Sequence, residues 1–277
     1  MGHGIARVCA SAGIDTVLYD VDLGSVETGV KRIRKGLDKT VSAGELTEPE
    51  RDEVLSRIQR SSDLAFAVHG AQLIIEAAPE SMDIKRSLFR LLEPRVGEDT
   101  IFATNTASLS ISELATGMDY PARFLGIHFF NPVHEIDLVE VVWGVGTSDA
   151  TVALMIEFVE AIGKHPILVR DSPGFASSRL GIVLCLEAIR MIEAEVTGAE
   201  EIDKAMSLVY GYRIGPLRLM DLMGLDVQMD AAIYLHEALG SEAFRPPELL
   251  ERMVAEGKLG KKSGEGFYSW DEDWSVG

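Results

Sequence analysis

Cysteine is nearly missing from this chain. Cys9 and Cys185 are the two in 277 residues, far apart, with no CxxC pair and no histidine cluster at zinc-ligand spacing. That pattern excludes a disulfide framework and a structural zinc site, so no metal is expected. Both thiols are expected to be small buried side chains in a reducing compartment. Basic residues are in deficit, 26 Lys and Arg against 44 Asp and Glu, for a formal net charge of -18. Phosphate backbones need a basic footprint, which excludes nucleic acid as a bulk partner. Long apolar runs are lacking as well. Gln72-Leu-Ile-Ile75 and Ile167-Leu-Val169 fall well short of the ~20 residues of a membrane helix. No basic n-region followed by an apolar h-region opens the chain, so no membrane partner and a cytoplasmic location are expected.

What is present is the composition of a folded globular protein, 47% hydrophobic and 25% charged. The length suits one large domain or two ordinary ones. The opening Met1-Gly2-His3-Gly4 leads into a short helical pattern stopped at Gly13, and Asp15 to Asp20 reads as a buried strand ending in an acid. A helix leading into a strand tipped by Asp is the second half of a dinucleotide-binding βαβ unit, in which the acid takes the ribose hydroxyls. Gly2 stands where the third glycine of the GxGxxG turn belongs, so the first strand and the first two glycines are expected upstream, in a longer reading frame.

From Ser25 the pattern is charged and helical, breaks at Gly44 and restarts at Thr47, with Pro49 in the first turn, to run to Arg60. It is expected to be a helical hairpin. Gln72 to Glu76 reads as a strand running into a loop at Pro79, followed by a helix from Asp83 to Leu92. Glu80 and Lys85 lie where strand ends meet ligands, and read equally well as cofactor or substrate contacts and as surface charges. Thr100 to Thr104 is a strand ending in the polar loop Asn105 to Ser110, with Ser110 or Ser112 placed to cap the next helix.

Another apolar run ends in His128, turns at Asn131-Pro132, and returns as a β-branched run with Glu140 between valines. A lone histidine on an apolar strand reads as a core residue satisfied by backbone. A carboxylate between valines, however, needs a partner, and the imidazole is the one the sequence offers. Neutral His128 then suits a general base, with Glu140 setting its tautomer and stabilising its cation. A helix from Thr151 to Ile162 and a last strand from Lys164 to Val169 follow, and the breaker-rich Asp171-Ser-Pro-Gly174 marks a domain boundary. Beyond it the pattern is helical: Phe175 to Glu195, Glu200 to Leu208, Pro216 to Met223, Val227 to Leu239 and Leu249 to Glu256.

Together the residues resemble the L-3-hydroxyacyl-CoA dehydrogenase family. The resemblance is carried by Met1 to Ala6, Asn105-Thr-Ala-Ser-Leu109, His128-Phe-Phe-Asn-Pro132 with Leu138-Val-Glu-Val141, Asp171-Ser-Pro-Gly-Phe175, Gly215-Pro216 with Asp221 to Asp226, and Lys261 to Tyr268. It spans the chain. It implies an α/β fold with a Rossmann-like, doubly wound, mostly parallel sheet in a NAD-binding domain at 1–172, bearing the helical hairpin, and an all-helical substrate and dimerisation domain at 173–277. It further implies NAD-dependent, reversible oxidation of the 3-hydroxyl of an acyl-CoA thioester, with His128 and Glu140 as the catalytic pair. Gly2, Asp20, Glu80, Lys85, Asn105 and Asn131 would bind the cofactor, and the helical domain would form a homodimer. Asp20 accepts from a ribose diol and repels a 2′-phosphate, which favours NAD over NADP.

The chain departs from the family pattern in three places. The family serine that bonds the substrate hydroxyl falls on Ala107. The asparagine that holds the thioester side falls on Ser178, a shorter donor. Residues 133–137 place charges where the family has apolar side chains. Two alternatives follow: a non-catalytic acyl-CoA or NAD-binding relative, and a dehydrogenase of another 3-hydroxy acid.

Overall fold

Chain order in the first half alternates helix and strand, which is the pattern that builds a parallel sheet. The computed structural model describes residues 1–270, and the chain divides into two units, Met1–Ser172 and Pro173–Gly277; residues 271–277 of the second lie outside the described residues. In the first unit the elements are α1 (Gly2–Ser11), β1 (Thr16–Tyr19), α2 (Leu23–Ser42), α3 (Glu48–Ser56), β2 (Ile58–Ser61), α4 (Leu64–Val68), β3 (Leu73–Glu76), α5 (Met82–Leu92), β4 (Ile101–Thr104), α6 (Ile111–Leu114), β5 (Phe124–Phe129), β6 (Leu138–Trp143), α7 (Asp149–Ala161) and β7 (His165–Arg170).

Among the described residues the strands form a two-stranded sheet, β1-β2, and a five-stranded sheet in the order β3-β4-β5-β6-β7. All pairs are parallel except β5 with β6. This is the mostly parallel, Rossmann-like α/β architecture. It brings the C-terminal ends of β3, β4 and β5 to one edge, where α/β folds bind ligands. The core beneath them is Ile5, Val8, Leu125, Ile127, Val139, Val141, Met155 and their neighbours.

Local chemistry sets the helix starts. The Asp22 carboxylate accepts from the Gly24 and Ser25 amides to cap α2. Thr47 and Glu50 form a reciprocal capping box on α3, with Pro49 in its first turn. The Ser110 hydroxyl accepts from the Glu113 amide and opens α6.

Two expectations are corrected. The second helix of the hairpin stops at Ser56 instead of running to Arg60, because Ile58–Ser61 pairs in register with Thr16–Tyr19. Ile58 fits a helical period, but burying it on β1 outweighs that local preference. In the second unit, Phe175 and Glu195 lie outside the helix expected to reach both, since each takes a left-handed backbone conformation (φ 48° and 54°) that a helix interior does not accommodate.

The second unit is helical: α8 (Ser177–Glu193), α9 (Ala199–Tyr210), α10 (Pro216–Met223), α11 (Leu225–Leu239) and α12 (Glu248–Ala255). These pack around Leu186, Ile189, Leu217, Met220, Leu225, Ala232 and Leu250. Among the described residues no helix is long and apolar enough to cross a membrane.

Candidate active site

Directly opposed residues of an antiparallel pair share a face of the sheet, a few ångströms apart. In the β5–β6 register His128 faces Glu140, and the consequence is a short contact, 2.7 Å from the imidazole Nδ1 to a Glu140 oxygen. Both side chains are enclosed, His128 at 8% exposed and Glu140 at 0%. The Phe130 ring lies against the imidazole, 4.3 Å between centroids. A carboxylate on Nδ1 places the imidazole proton there and leaves Nε2 as the basic nitrogen, the arrangement a general base needs.

Around this pair the loops after β3 and β4 are tied to two acids. Glu76, at the end of β3, accepts from the Thr104 hydroxyl at 2.6 Å and from the Lys85 ammonium at 2.8 and 3.0 Å. Glu80, in the following loop, gathers the Thr106 hydroxyl, the Ala107 and Ser108 amides at 3.0 and 3.2 Å, and the Ser108 hydroxyl at 3.0 Å. Lys85 reaches its other oxygen at 3.4 Å. Asn105, between these anchors, accepts the Phe129 amide on its side-chain oxygen at 2.8 Å and so ties the loop to the residue after His128.

Burial alone would raise the Glu80 carboxyl, but the Thr106 hydroxyl, the Lys85 charge, the Ser108 hydroxyl and the Ala107 amide outweigh it and hold the group below its ordinary 4.5. A depressed value means that Glu80 stabilises the fold fully above 4.5 and loses that contribution as pH falls through the lower folded value. The expected result is that wild type melts above Glu80→Gln at neutral pH and that the gap closes in acid. A gap independent of pH in thermal melts would mean that Glu80 is not the ionised anchor.

The remaining expected site residues are placed as follows. Asp20 is exposed at the tip of β1, accepts the Asp22 amide at 3.2 Å, and keeps acceptor capacity for a diol. Gly2 opens α1, where a Cβ would meet nothing closer than Ala77 at 3.7 Å. The tight approach is at Gly4, where a Cβ would come within 2.9 Å of Val133, so Gly4 is what lets α1 pack onto the turn beyond His128. Asp20 offers an exposed acceptor and the start of α1 offers backbone donors, and these are the group types that a dinucleotide takes.

Asn131 is exposed at the turn, and Ala107 is exposed with its amide on Glu80. Ser178 belongs to the second unit, in the first turn of α8. His134 and Glu135 are surface residues, while Asp137 pairs with the buried Lys164 at 3.3 Å.

Lys85 is buried: its side chain is 1% exposed and its ammonium lies among Glu76, Glu80 and the Ala78 carbonyl. Sequence reasoning passed over Glu76, Thr104 and Thr106. The available signal was the acid ending an apolar strand, the same signal that singled out Glu140. Both cysteines are buried, and burial pushes each thiol up to about 12, protonated at neutral pH.

A family model described as 3-hydroxyacyl-CoA dehydrogenase, NAD binding domain, matches residues 1–172, and one described as 3-hydroxyacyl-CoA dehydrogenase, C-terminal domain, matches residues 174–270. A probable 3-hydroxybutyryl-CoA dehydrogenase of Bacillus subtilis (strain 168) is 40% identical over 275 residues, 99% of this chain and 96% of its own. The mitochondrial hydroxyacyl-coenzyme A dehydrogenase of Sus scrofa is 39% identical over 98% of this chain and 88% of its own. Among solved structures, the (S)-3-hydroxybutyryl-CoA dehydrogenase PaaH1 from Ralstonia eutropha matches with a TM-score of 0.95 at 37% identity, covering 98% of this chain and 96% of that one.

Proposed function

The chain belongs to the 3-hydroxyacyl-CoA dehydrogenase family, and from that premise we propose that His128 and Glu140 are the acid-base pair with which it oxidises the 3-hydroxyl of an acyl-CoA thioester to the ketone. The observation that carries this reading is the 2.7 Å contact between them in a closed site. His128 takes the hydroxyl proton. Glu140 holds the imidazole in the basic tautomer and stabilises the imidazolium that forms; in the reverse direction the same nitrogen returns the proton. NAD, when bound, supplies the acceptor for the hydride leaving C3. Asp20 and the first turn of α1 at Gly2 would hold the dinucleotide, with Glu80, Lys85, Asn105 and Asn131 as the residues that would meet its reacting end. From the resemblance alone, Ser178 would offer its hydroxyl to the thioester.

The test is NADH formation at 340 nm from 3-hydroxybutyryl-CoA, run in competition with free 3-hydroxy acids. Calorimetric binding of the thioester with no absorbance change would overturn the reading, and preference for a free acid would redirect it.

Ala107 removes one donor to the substrate hydroxyl. A lost hydrogen bond in a closed site costs about 1–3 kcal/mol, or roughly 10- to 100-fold in rate. Ala107→Ser is therefore expected to raise kcat by about tenfold or more in that assay. An unchanged kcat would place the loop differently relative to the substrate.

Exposed Leu180 on α8 and Val227 and Ile233 on α11 support a homodimer through the helical unit, to be read by light scattering. The two buried free thiols support a reducing compartment, the cytoplasm.

A further inference from the structure

We infer that Lys85 is a positioning residue for this reaction, acting through Glu76 and Glu80 on the loop that carries Asn105. The inference rests on the dehydrogenase reading for its kinetic consequence, though not for its structural one.

A buried ion pair is a weak source of stability compared with apolar side chains of similar volume. What the lysine does that a methionine would not is hold two carboxylates, borne by β3 and by the loop after it, at one point. Its ammonium lies 2.8 and 3.0 Å from the Glu76 oxygens and 3.4 Å from Glu80. Each acid then grips one side of Asn105: Glu76 takes the Thr104 hydroxyl at 2.6 Å, and Glu80 takes Thr106, Ala107 and Ser108. The Asn105 amide donates to the Glu76 carbonyl at 2.8 Å, which closes the frame from behind. Asn105 is held at both neighbours, and its side-chain oxygen takes the Phe129 amide at 2.8 Å. The strand end that presents His128 is thus referenced to Lys85 through three successive polar links. Glu80 is half open to solvent while Lys85 and Glu76 are closed, so the cation fixes the exposed acid from within.

The experiment is a kinetic double-mutant cycle with an independent structural readout. Lys85→Met with Glu76→Gln removes both buried charges together and so avoids stranding one. It is expected to lower kcat by about 10- to 100-fold, the cost of a misplaced catalytic loop. In an Asn105→Ala background the same pair of changes is expected to cost less than about threefold, because the residue it positions is already gone.

Hydrogen exchange at the Phe129 amide is expected to quicken by about tenfold or more in the charge-free variant, while the Glu140 and Val141 amides on β6 keep their protection. Losses that multiply in the two backgrounds, or an unchanged Phe129 amide, overturn the positioning role. If wild type forms no NADH, the dehydrogenase reading fails alone, and the exchange measurement still decides whether Lys85 sets the loop. Should the charge-free variant fail to fold, Glu80→Gln, at the exposed end of the frame, is the second variant. It is expected to show the same coupling to Asn105→Ala and the same quickened Phe129 exchange, and additive losses there likewise overturn the proposal.

Discussion

His128→Gln is expected to form no measurable NADH from 3-hydroxybutyryl-CoA, with kcat lower by about 1,000- to 10,000-fold. Glutamine is the informative replacement because its amide can still donate to Glu140 across the strand pair, so the buried carboxylate keeps a partner and β5 keeps its packing. What it lacks is a nitrogen that can take a proton near neutral pH. The loss should fall on kcat and on kcat/KM alike, as for an interaction made in the transition state, with circular dichroism and melting temperature close to wild type. Glu140→Gln is a milder companion. It retains the contact of 2.7 Å in outline but offers no charge to the imidazolium, for an expected loss of about 100-fold or more. Activity of His128→Gln within tenfold of wild type would remove His128 from the role of base.

The largest stability effect is expected at Asp221, on α10. Its carboxylate is fully enclosed and accepts the Phe267 and Tyr268 amides at 2.9 Å each and the Trp270 indole N–H at 2.8 Å. Nearby Asp203 takes the Leu217 and Arg218 amides at 2.9 Å and the Tyr268 hydroxyl at 2.8 Å. Two acids thus hold the segment Lys261 to Trp270 on the helical unit. Gly266 is glycine because a Cβ there would lie 2.2 Å from the Asp221 carboxylate.

Asp221→Ala leaves the Trp270 indole N–H without its acceptor in the interior and the part-buried Phe267 and Tyr268 amides without theirs, for a total of about 3–5 kcal/mol. That lowers the melting temperature of the helical unit by on the order of 15 °C or more. Burial pushes the Asp221 carboxyl above its ordinary value, and the charge of Asp203 adds to it against the three donors. A raised value means that its contribution is fullest in acid and fades as pH rises through the folded value. The difference between wild type and Asp221→Ala is therefore expected to be larger in mildly acidic buffer than in neutral buffer. A melting temperature within a few degrees of wild type would mean that the segment is held by its aromatic packing.

The His128–Glu140 pair and the segment held by Asp221 differ in how far the sequence alone discloses them. His128 and Glu140 are twelve residues apart in sequence, on two runs joined by one turn, so local pattern is enough to oppose them. Asp20 at a strand tip, Thr47 and Pro49 at a helix start and Ser110 as a cap are legible for the same reason: each acts on residues within one turn or one strand of itself.

The position of Lys85 is decided otherwise. An Asp83 to Leu92 helix with a lysine on it reads as a surface charge or a ligand contact, and nothing in that stretch reveals two acids facing it. Glu76 is 9 residues away, and the Glu80 partners Thr106 to Ser108 are 26 to 28 residues from it. They meet because β3 and β4 are parallel neighbours, a fact of sheet order. The strand at Ile58–Ser61 was hidden likewise, since its helical period is outweighed by pairing with Thr16–Tyr19, 42 residues earlier.

Residue types at short spacing were enough for the family and the cofactor, and for the opposition of His128 to Glu140 across one turn. That Lys85 is buried between two acids, and that Asp221 and Asp203 hold residues 267–270, follows from the tertiary fold. The worth of a buried charge is set by which donors and acceptors surround it, and strand order and helix packing choose those neighbours from distant parts of the chain.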